Sequence, residues 1–226
     1  MRLGDQVSLG NFQIRFVDDN ATVAARNVYC IGRNYAAHAR ELGNEVPTAP
    51  VVFLKSTASL RPLASGPLAF SDEVFHHEAE LVVLIGSRVE LGHSAGWEAV
   101  SALGLGLDLT RREVQNQLKA KGLPWTEAKS FAGSGLLSDF VPTERFRDLQ
   151  RIEFSLSVTG EMRQHGDTSL MLHDVPRLIT HLATLQALDV GDLIYTGTPA
   201  GVGPLRRGDQ FTLAFIEPAL AFSGRL

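Results

Sequence analysis

Residues 76–86 read HHEAELVVLIG. Leu81 to Ile85 form the apolar run of a buried strand, yet Glu78 and Glu80 stand at its entrance. Side chains on a strand alternate faces, so the two carboxylates point the same way, roughly 6–7 Å apart along the chain. Buried like charges at that spacing are costly unless a cation lies between them. A hard divalent cation is one resolution; a strand edge open to water is the other. A third carboxylate follows in LGLGLDL, residues 103–109. Leu103, Leu105, Leu107 and Leu109 share one face, and Gly104, Gly106 and Asp108 share the other. Two positions without side chains predict open space above that face, with tight packing under a helix as the alternative. His76 falls on the face of the glutamates, and His77 points away.

Other residues could serve an anionic ligand. Arg112, Gln115 and Lys119 recur at i, i+3 and i+7, one polar face of a helix that starts just after Asp108. An arginine near a helix start, beside a metal, suits an oxygen-rich anion such as a 2-oxo acid; a solvated helix face is the plain alternative. His38 and Glu41, at i, i+3, can touch, and a carboxylate orients an imidazole and raises its basicity. Lys55 follows Val51–Leu54 and Lys129 precedes Ser130-Phe131; each is either an end-of-strand lysine in water or binds a carboxylate. GTPAGVG, residues 197–203, has glycines that let backbone N–H groups approach an anion, but lacks the Lys-Ser/Thr ending of a phosphate-binding loop.

The elements that must hold these residues are mostly strands. Short strands are expected within 11–31, with a turn at Asp18-Asp19-Asn20. A helix is expected over 34–42, stopped by Gly43, then strands at Val51–Leu54 and 78–85, a short helix around 94–102, and a strand over 103–109. Thr110 and Glu113 form a T-x-x-E capping box for the next helix, which ends near Gly122 and Pro124. A hairpin spans 151–165, turning near Gly160. Asp174-Val175-Pro176 starts another helix, with apolar spacing at Leu178, Ile179, Leu182 and Leu185. Strands Leu193–Thr196 and Gln210–Phe215 complete the pattern. Strands and helices do not alternate regularly, which disfavours a doubly wound parallel sheet.

Composition narrows the class. The chain has 226 residues, 44% hydrophobic and 20% charged, with a net charge of −4. That balance argues against nucleic acid and anionic membranes as partners. A single cysteine, Cys30, excludes an intramolecular disulfide and points to a cytoplasmic setting; Cys30 itself reads as a small buried hydrophobe. The apolar runs are too short to span a membrane.

Taken together, these residues resemble the fumarylacetoacetate hydrolase family, in particular its short members of the acylpyruvate hydrolase/oxaloacetate decarboxylase type. The resemblance spans roughly residues 28–215. It rests on GRNYAAHARELG (32–43), PVVFLKS (50–56), HHEAELVVLIG (76–86), GLDLTRREVQ (106–115), KGLPWTEAKSF (121–131), GEMRQHGDT (160–168) and GDLIYTGTPAGVGP (191–204). It implies an α+β, strand-dominated fold, a mixed β-roll or β-sandwich of the family's C-terminal-domain type. A single catalytic domain, 1–226, is expected, in which 1–27 is a short strand extension before the core of 28–226. A homodimer is implied too. The resemblance carries over Glu78, Glu80 and Asp108 as ligands of Mg²⁺ or Mn²⁺, with Ca²⁺ able to substitute in a crystal; all-oxygen ligation suits these ions. It makes His38 and Glu41 a catalytic dyad on a lid helix. It puts Arg112, Gln115, Lys129 and Thr198 around the substrate, and Arg33, Asn34 and Lys55 match motif positions as well. Two departures stand out: Ser56 replaces the usual proline after Lys55, and FAGSGLLSDF after Lys129 lacks the family's Cys/Gly-Pro pattern.

The chemistry implied is metal-assisted cleavage of a C–C bond in a 3-acylpyruvate-type 2-oxo acid. His38, oriented by Glu41, activates water, and Lys129 stabilises or protonates the departing fragment. The same site could decarboxylate oxaloacetate, or act as a tautomerase or isomerase by proton transfer alone. A distant alternative is a cupin-like iron site using His76 or His77 beside Glu80.

Overall fold

The computed structural model describes residues 12–41, 43, 45–65 and 73–226. Residues 1–11 of the expected N-terminal extension, and Leu42 at the end of the expected first helix, lie outside the described residues.

Two long antiparallel strands, Ala79–Ile85 and Val100–Asp108, form the middle of an eight-stranded mixed sheet. On one side it continues through Leu193–Tyr195 and Val28–Gly32 to the edge strand Val51–Lys55; on the other it runs through Gly135–Leu137 to Leu60–Pro62. Val141–Pro142 joins the 100–108 strand. The pairings Leu193–Tyr195 with Val28–Gly32, and Leu60–Pro62 with Gly135–Leu137, are parallel. A four-stranded antiparallel sheet runs in the order Glu161–Asp167, Glu153–Val158, Gln210–Phe215, Leu220–Arg225. The fold is strand-dominated α+β, as expected.

The large sheet is buried on both faces, which is why 81–85 reads as an uninterrupted apolar run. Leu81, Val83, Ile85, Leu103, Leu105 and Leu107 belong to the larger core, with Phe154, Leu156, Phe211 and Leu213 of the four-stranded sheet and Leu178, Ile179 and Leu182. Val82, Leu84 and Ala102 join Ile14, Cys30, Phe140 and Tyr195 in the second. Each such aliphatic side chain contributes about 1.5–3 kcal/mol by leaving water. The open space expected above Gly104 and Gly106 is not there. A Cβ on Gly104 would meet the Phe140 ring at 2.8 Å, and one on Gly106 would meet the Tyr195 ring at 2.7 Å and the Leu136 carbonyl at 2.9 Å. The glycines admit aromatic rings, so the packing alternative holds.

Other local expectations divide. Asp174 caps the helix Val175–Ala183 by accepting the Arg177 N–H at 3.0 Å, with proline in the first turn. That helix ends before Leu185, which is 59% exposed and not part of its apolar face. The hairpin turns at Thr159-Gly160, and Gly43 and Gly122 take the left-handed φ of a helix stop. The capping box does not form. Thr110 exchanges backbone hydrogen bonds with His76, and its hydroxyl donates to the Asp108 carbonyl. Thr110 is thus held by the sheet, and the helix Arg112–Ala120 begins after it. The helix expected over 94–102 contracts to one turn, Trp97–Ala99, because Val100 and Ala102 already pair with Ile85 and Leu84. Several pieces escaped sequence reading: the strand Leu220–Arg225, the ribbon Phe75–His77 with Gly203–Leu205, the strands Leu60–Pro62, Gly135–Leu137 and Val141–Pro142, and the helical turn Thr126–Lys129. Among the described residues no helix is long and apolar enough to cross a membrane.

Candidate metal centre and active site

Glu78, Glu80 and Asp108 converge, with one carboxylate oxygen from each within 4.8 Å of the others. Register explains this. Glu80 lies opposite Gly106, and the Asp108 N–H donates to the Glu78 carbonyl at 2.8 Å. The end of one strand thereby sets its carboxylate beside two on the other. All three are buried. Divalent ions of this class bind oxygen at about 2.0–2.6 Å, so oxygens this close need little movement to share one.

Cations answer the charge. Lys129, ending the helical turn Thr126–Lys129, reaches Glu78 Oε2 at 2.6 Å and Asp108 Oδ2 at 2.7 Å. Lys55 approaches Asp108 Oδ1 at 2.8 Å, Ser134 Oγ at 3.0 Å and the Lys129 carbonyl. Arg112 donates to Glu78 and, at 2.6 Å, to Gln115 Oε1. Burial pushes the Glu78 carboxyl up, but Lys129 and then Arg112 outweigh it and hold the group below the ordinary range. Burial likewise pushes Lys129 down, and Asp108 and Glu78 more than reverse it. Glu80 differs: its contact is the Gly197 N–H at 2.7 Å, and burial, then Asp108 and Glu78, push its carboxyl well above the ordinary range. Of the three carboxylates it is the one lacking a cationic partner among the described residues. An all-oxygen set with one under-neutralised acid fits a hard divalent cation.

A small pocket, open at its mouth, is lined by this triad together with Arg33, His38, Phe53, Arg112, Gln115, Lys119, Trp125, Lys129 and Thr198. Within the helix Ala36–Glu41, His38 Nδ1 stands 3.4 Å from Glu41 Oε2. Glu41 in turn accepts the Gly201 N–H of the glycine loop at 3.1 Å. Burial lowers the pKa of His38, against opposing pulls from Glu78 and Glu41, which favours the neutral ring over the charged one.

Nearly all the expected site residues meet here. Asn34 does not line the pocket. Its amide donates to the His173 and Thr196 carbonyls and accepts the His173 N–H, which uses it as a strut. His76 borders an adjacent outer pocket with Glu41, Arg112, Asn116, Lys119 and Val202.

The match to known proteins covers most of the chain. Residues 27–220 match the family described as fumarylacetoacetate (FAA) hydrolase C-terminal. This chain belongs to that family. It is 43% identical over 188 residues to the mitochondrial oxaloacetate tautomerase FAHD1 of Bos taurus, covering 82% of this chain and 85% of that protein. It is 42% identical to the mitochondrial oxaloacetate decarboxylase of Dictyostelium discoideum, covering 81% and 85%. It is 43% identical to the oxaloacetate tautomerase YcgM of Escherichia coli, covering 83% and 87%. The crystal structure of fumarylpyruvate hydrolase from Pseudomonas aeruginosa, in complex with Mn²⁺ and pyruvate, superimposes with a TM-score of 0.85 at 32% identity over 94% of each chain. A divalent metal in this fumarylacetoacetate hydrolase site accords with that complex and with the triad.

The cupin-like alternative loses its ligands. His77 Nδ1 pairs with Gln164 Oε1 at 2.9 Å, and the convergent group holds carboxylates alone. Sequence reading missed Gln164, which also accepts the Ala79 N–H and donates to Thr198 Oγ1 and the Pro199 carbonyl. It thereby fastens the glycine loop to the strand carrying Glu80. It also missed Ser134, whose hydroxyl links Lys55 to the Lys129 carbonyl. Ser134 lies in the stretch that departs from the family pattern, and Ser56 donates its N–H to neighbouring Ser130 at 2.8 Å. Lys55, the residue before Ser56, thus reaches the second departure through Ser134.

Proposed function

We propose that this protein is a divalent-metal-dependent oxaloacetate tautomerase, interconverting the enol and keto forms of a 2-oxo diacid. The observation that carries the reading is the placement of a buried His38, in contact with Glu41, in the same pocket as the carboxylate triad. Moving a proton to or from C3 of a 2-oxo acid needs a base of this kind and an electrophilic platform, with no water as reactant. The names of relatives at 42–43% identity support it.

Mg²⁺ or Mn²⁺, held by Glu78, Glu80 and Asp108, would supply Lewis acidity to the 2-oxo acid end of the substrate. Glu41 accepts a hydrogen bond from Nδ1–H of His38, leaving Nε2 to exchange the proton at C3. Arg112 and Lys129 stabilise negative charge developing on the C2 oxygen. Thr198, fixed by Gln164 and by the Ala79 carbonyl at 2.9 Å, lines the same pocket.

A second reading keeps the acylpyruvate hydrolase expected from the sequence. The fumarylpyruvate hydrolase likeness supports it, and so does the outer pocket, which could take a longer acyl tail. One assay panel separates the readings. Loss of the enol absorbance of oxaloacetate, pyruvate release from oxaloacetate, and hydrolysis of acetylpyruvate are followed with Mg²⁺ or Mn²⁺ and with chelator. Ketonisation should be the fastest and should stop on chelation. Faster cleavage of acetylpyruvate would transfer the assignment to the hydrolase, and metal-independent turnover would sink both.

A further inference from the structure

Two cations of the pocket lack an acidic partner. Arg33 follows the strand Val28–Gly32, holds a left-handed φ of 59°, and buries an Nε with no hydrogen-bond partner. Lys119 is half-buried, with its ammonium 5.2 Å from the centre of the Trp125 ring. Among the described residues neither forms an ion pair. Burial, then Arg112 and Arg33, pull the Lys119 pKa down to about 8, a crowding of like charge that an arriving anion would relieve.

Their position matters as much as their charge. Arg112, Gln115 and Lys119 share one face of the helix Arg112–Ala120, and seven residues span about 10 Å along it. Arg112 and Lys119 both line the inner pocket and the outer one, but Arg112 is tied to Glu78 and Lys119 rests on the Trp125 ring. At the floor Lys55, Lys129 and Arg112 are already taken up by Glu78 and Asp108. Arg33 and Lys119 are therefore positive charge lining the pocket that no acid among the described residues takes up. A 2-oxo monoacid brings its one negative charge to the floor. A 2-oxo diacid brings a second to its other end.

We propose that Lys119, assisted by Arg33, is a specificity-determining residue that receives the distal carboxylate of a diacid and so selects short 2-oxo diacids over monoacids. This rests on the site being a 2-oxo acid site, as proposed above. Trp125 supports the lysine through its ring face, leaving the ammonium donors free for the ligand.

The test uses stable 2-hydroxy acids that share one end and differ at the other: malate, both enantiomers, against lactate. Their Kd values are measured by calorimetry on the Mg²⁺-loaded protein. Lys119→Met should weaken malate about tenfold more than lactate, as expected for a charge-assisted contact. Lys119→Gln, which keeps a polar end without the charge, should do the same, and Lys119→Arg should retain most of the preference. Equal loss for both ligands, no loss for either, or a wild-type protein binding malate no tighter than lactate would each overturn the proposal. Turnover of oxaloacetate by the wild-type protein is scored separately. Its absence would remove the tautomerase reading, while the malate–lactate comparison would still decide the role of Lys119.

Discussion

At the floor of the pocket Asp108 faces Lys55 at 2.8 Å and Lys129 at 2.7 Å, with none of these side chains more than 4% exposed. At the rim, His38 and Glu41 stand 3.4 Å apart, with Glu41 34% exposed, and Lys119 leans on an indole rather than an acid. The floor charges are held by two core strands and by one another, so removing one leaves others buried and unpaired. The rim charges are held lightly by a six-residue helix and one end of another. Stability and chemistry are therefore entangled at the floor and separable at the rim.

The sharpest way to break that comparison is Asp108→Ala. It should abolish activity and, by leaving Lys55 and Lys129 short of a partner, cost about 3–5 kcal/mol in chemical denaturation. A fully stable variant would mean that the floor network is not structural. His38→Ala should lower the rate of ketonisation by about 10²–10⁴-fold while leaving the denaturation midpoint almost unmoved; a large loss of stability would erase the contrast. Gly106→Ala places a methyl against the Tyr195 ring and the Leu136 carbonyl. It should cost about 1–3 kcal/mol, with metal affinity, measured on the folded fraction, reporting whether the strain reaches Asp108 and Glu80. The smallest effect is on pH. Glu80 holds its proton to higher pH than an ordinary carboxyl and must lose it to ligate a cation, so binding releases a proton. Mn²⁺ affinity should then rise with pH, by about tenfold per unit, up to the raised pKa. A flat profile from pH 5 to 7 would show that the acid is already ionised in the metal-free protein.

Much of this site was legible in the chain. Strand alternation pairs Glu78 with Glu80, the two leucine-rich faces mark the core, and Asp174 marks a helix start. Arg112 and Gln115 meet as i, i+3 spacing demands. What failed were inferences about what lies across a gap. Glycines read as open space are filled by Phe140 and Tyr195, contributed by distant segments. Thr110 offered a capping signal, but its pairing with His76 committed it to the sheet first. Gln164 and Ser134 carry no local mark of function. Their roles arise from hydrogen bonds to residues 85 and 79 positions away in the chain.

The sequence by itself determined which residues carry charge, which faces are apolar, and that a pair of buried carboxylates needs a counter-charge, because periodicity and desolvation act locally and leave a pattern along the chain. Only the tertiary structure decided how that charge is shared. Lys129 and Arg112 neutralise Glu78, Glu80 is left with a backbone N–H, and Arg33 and Lys119 line the pocket with no acidic partner among the described residues. Electrostatic balance depends on distances between segments that sheet register alone brings together, and those distances have no counterpart in one dimension.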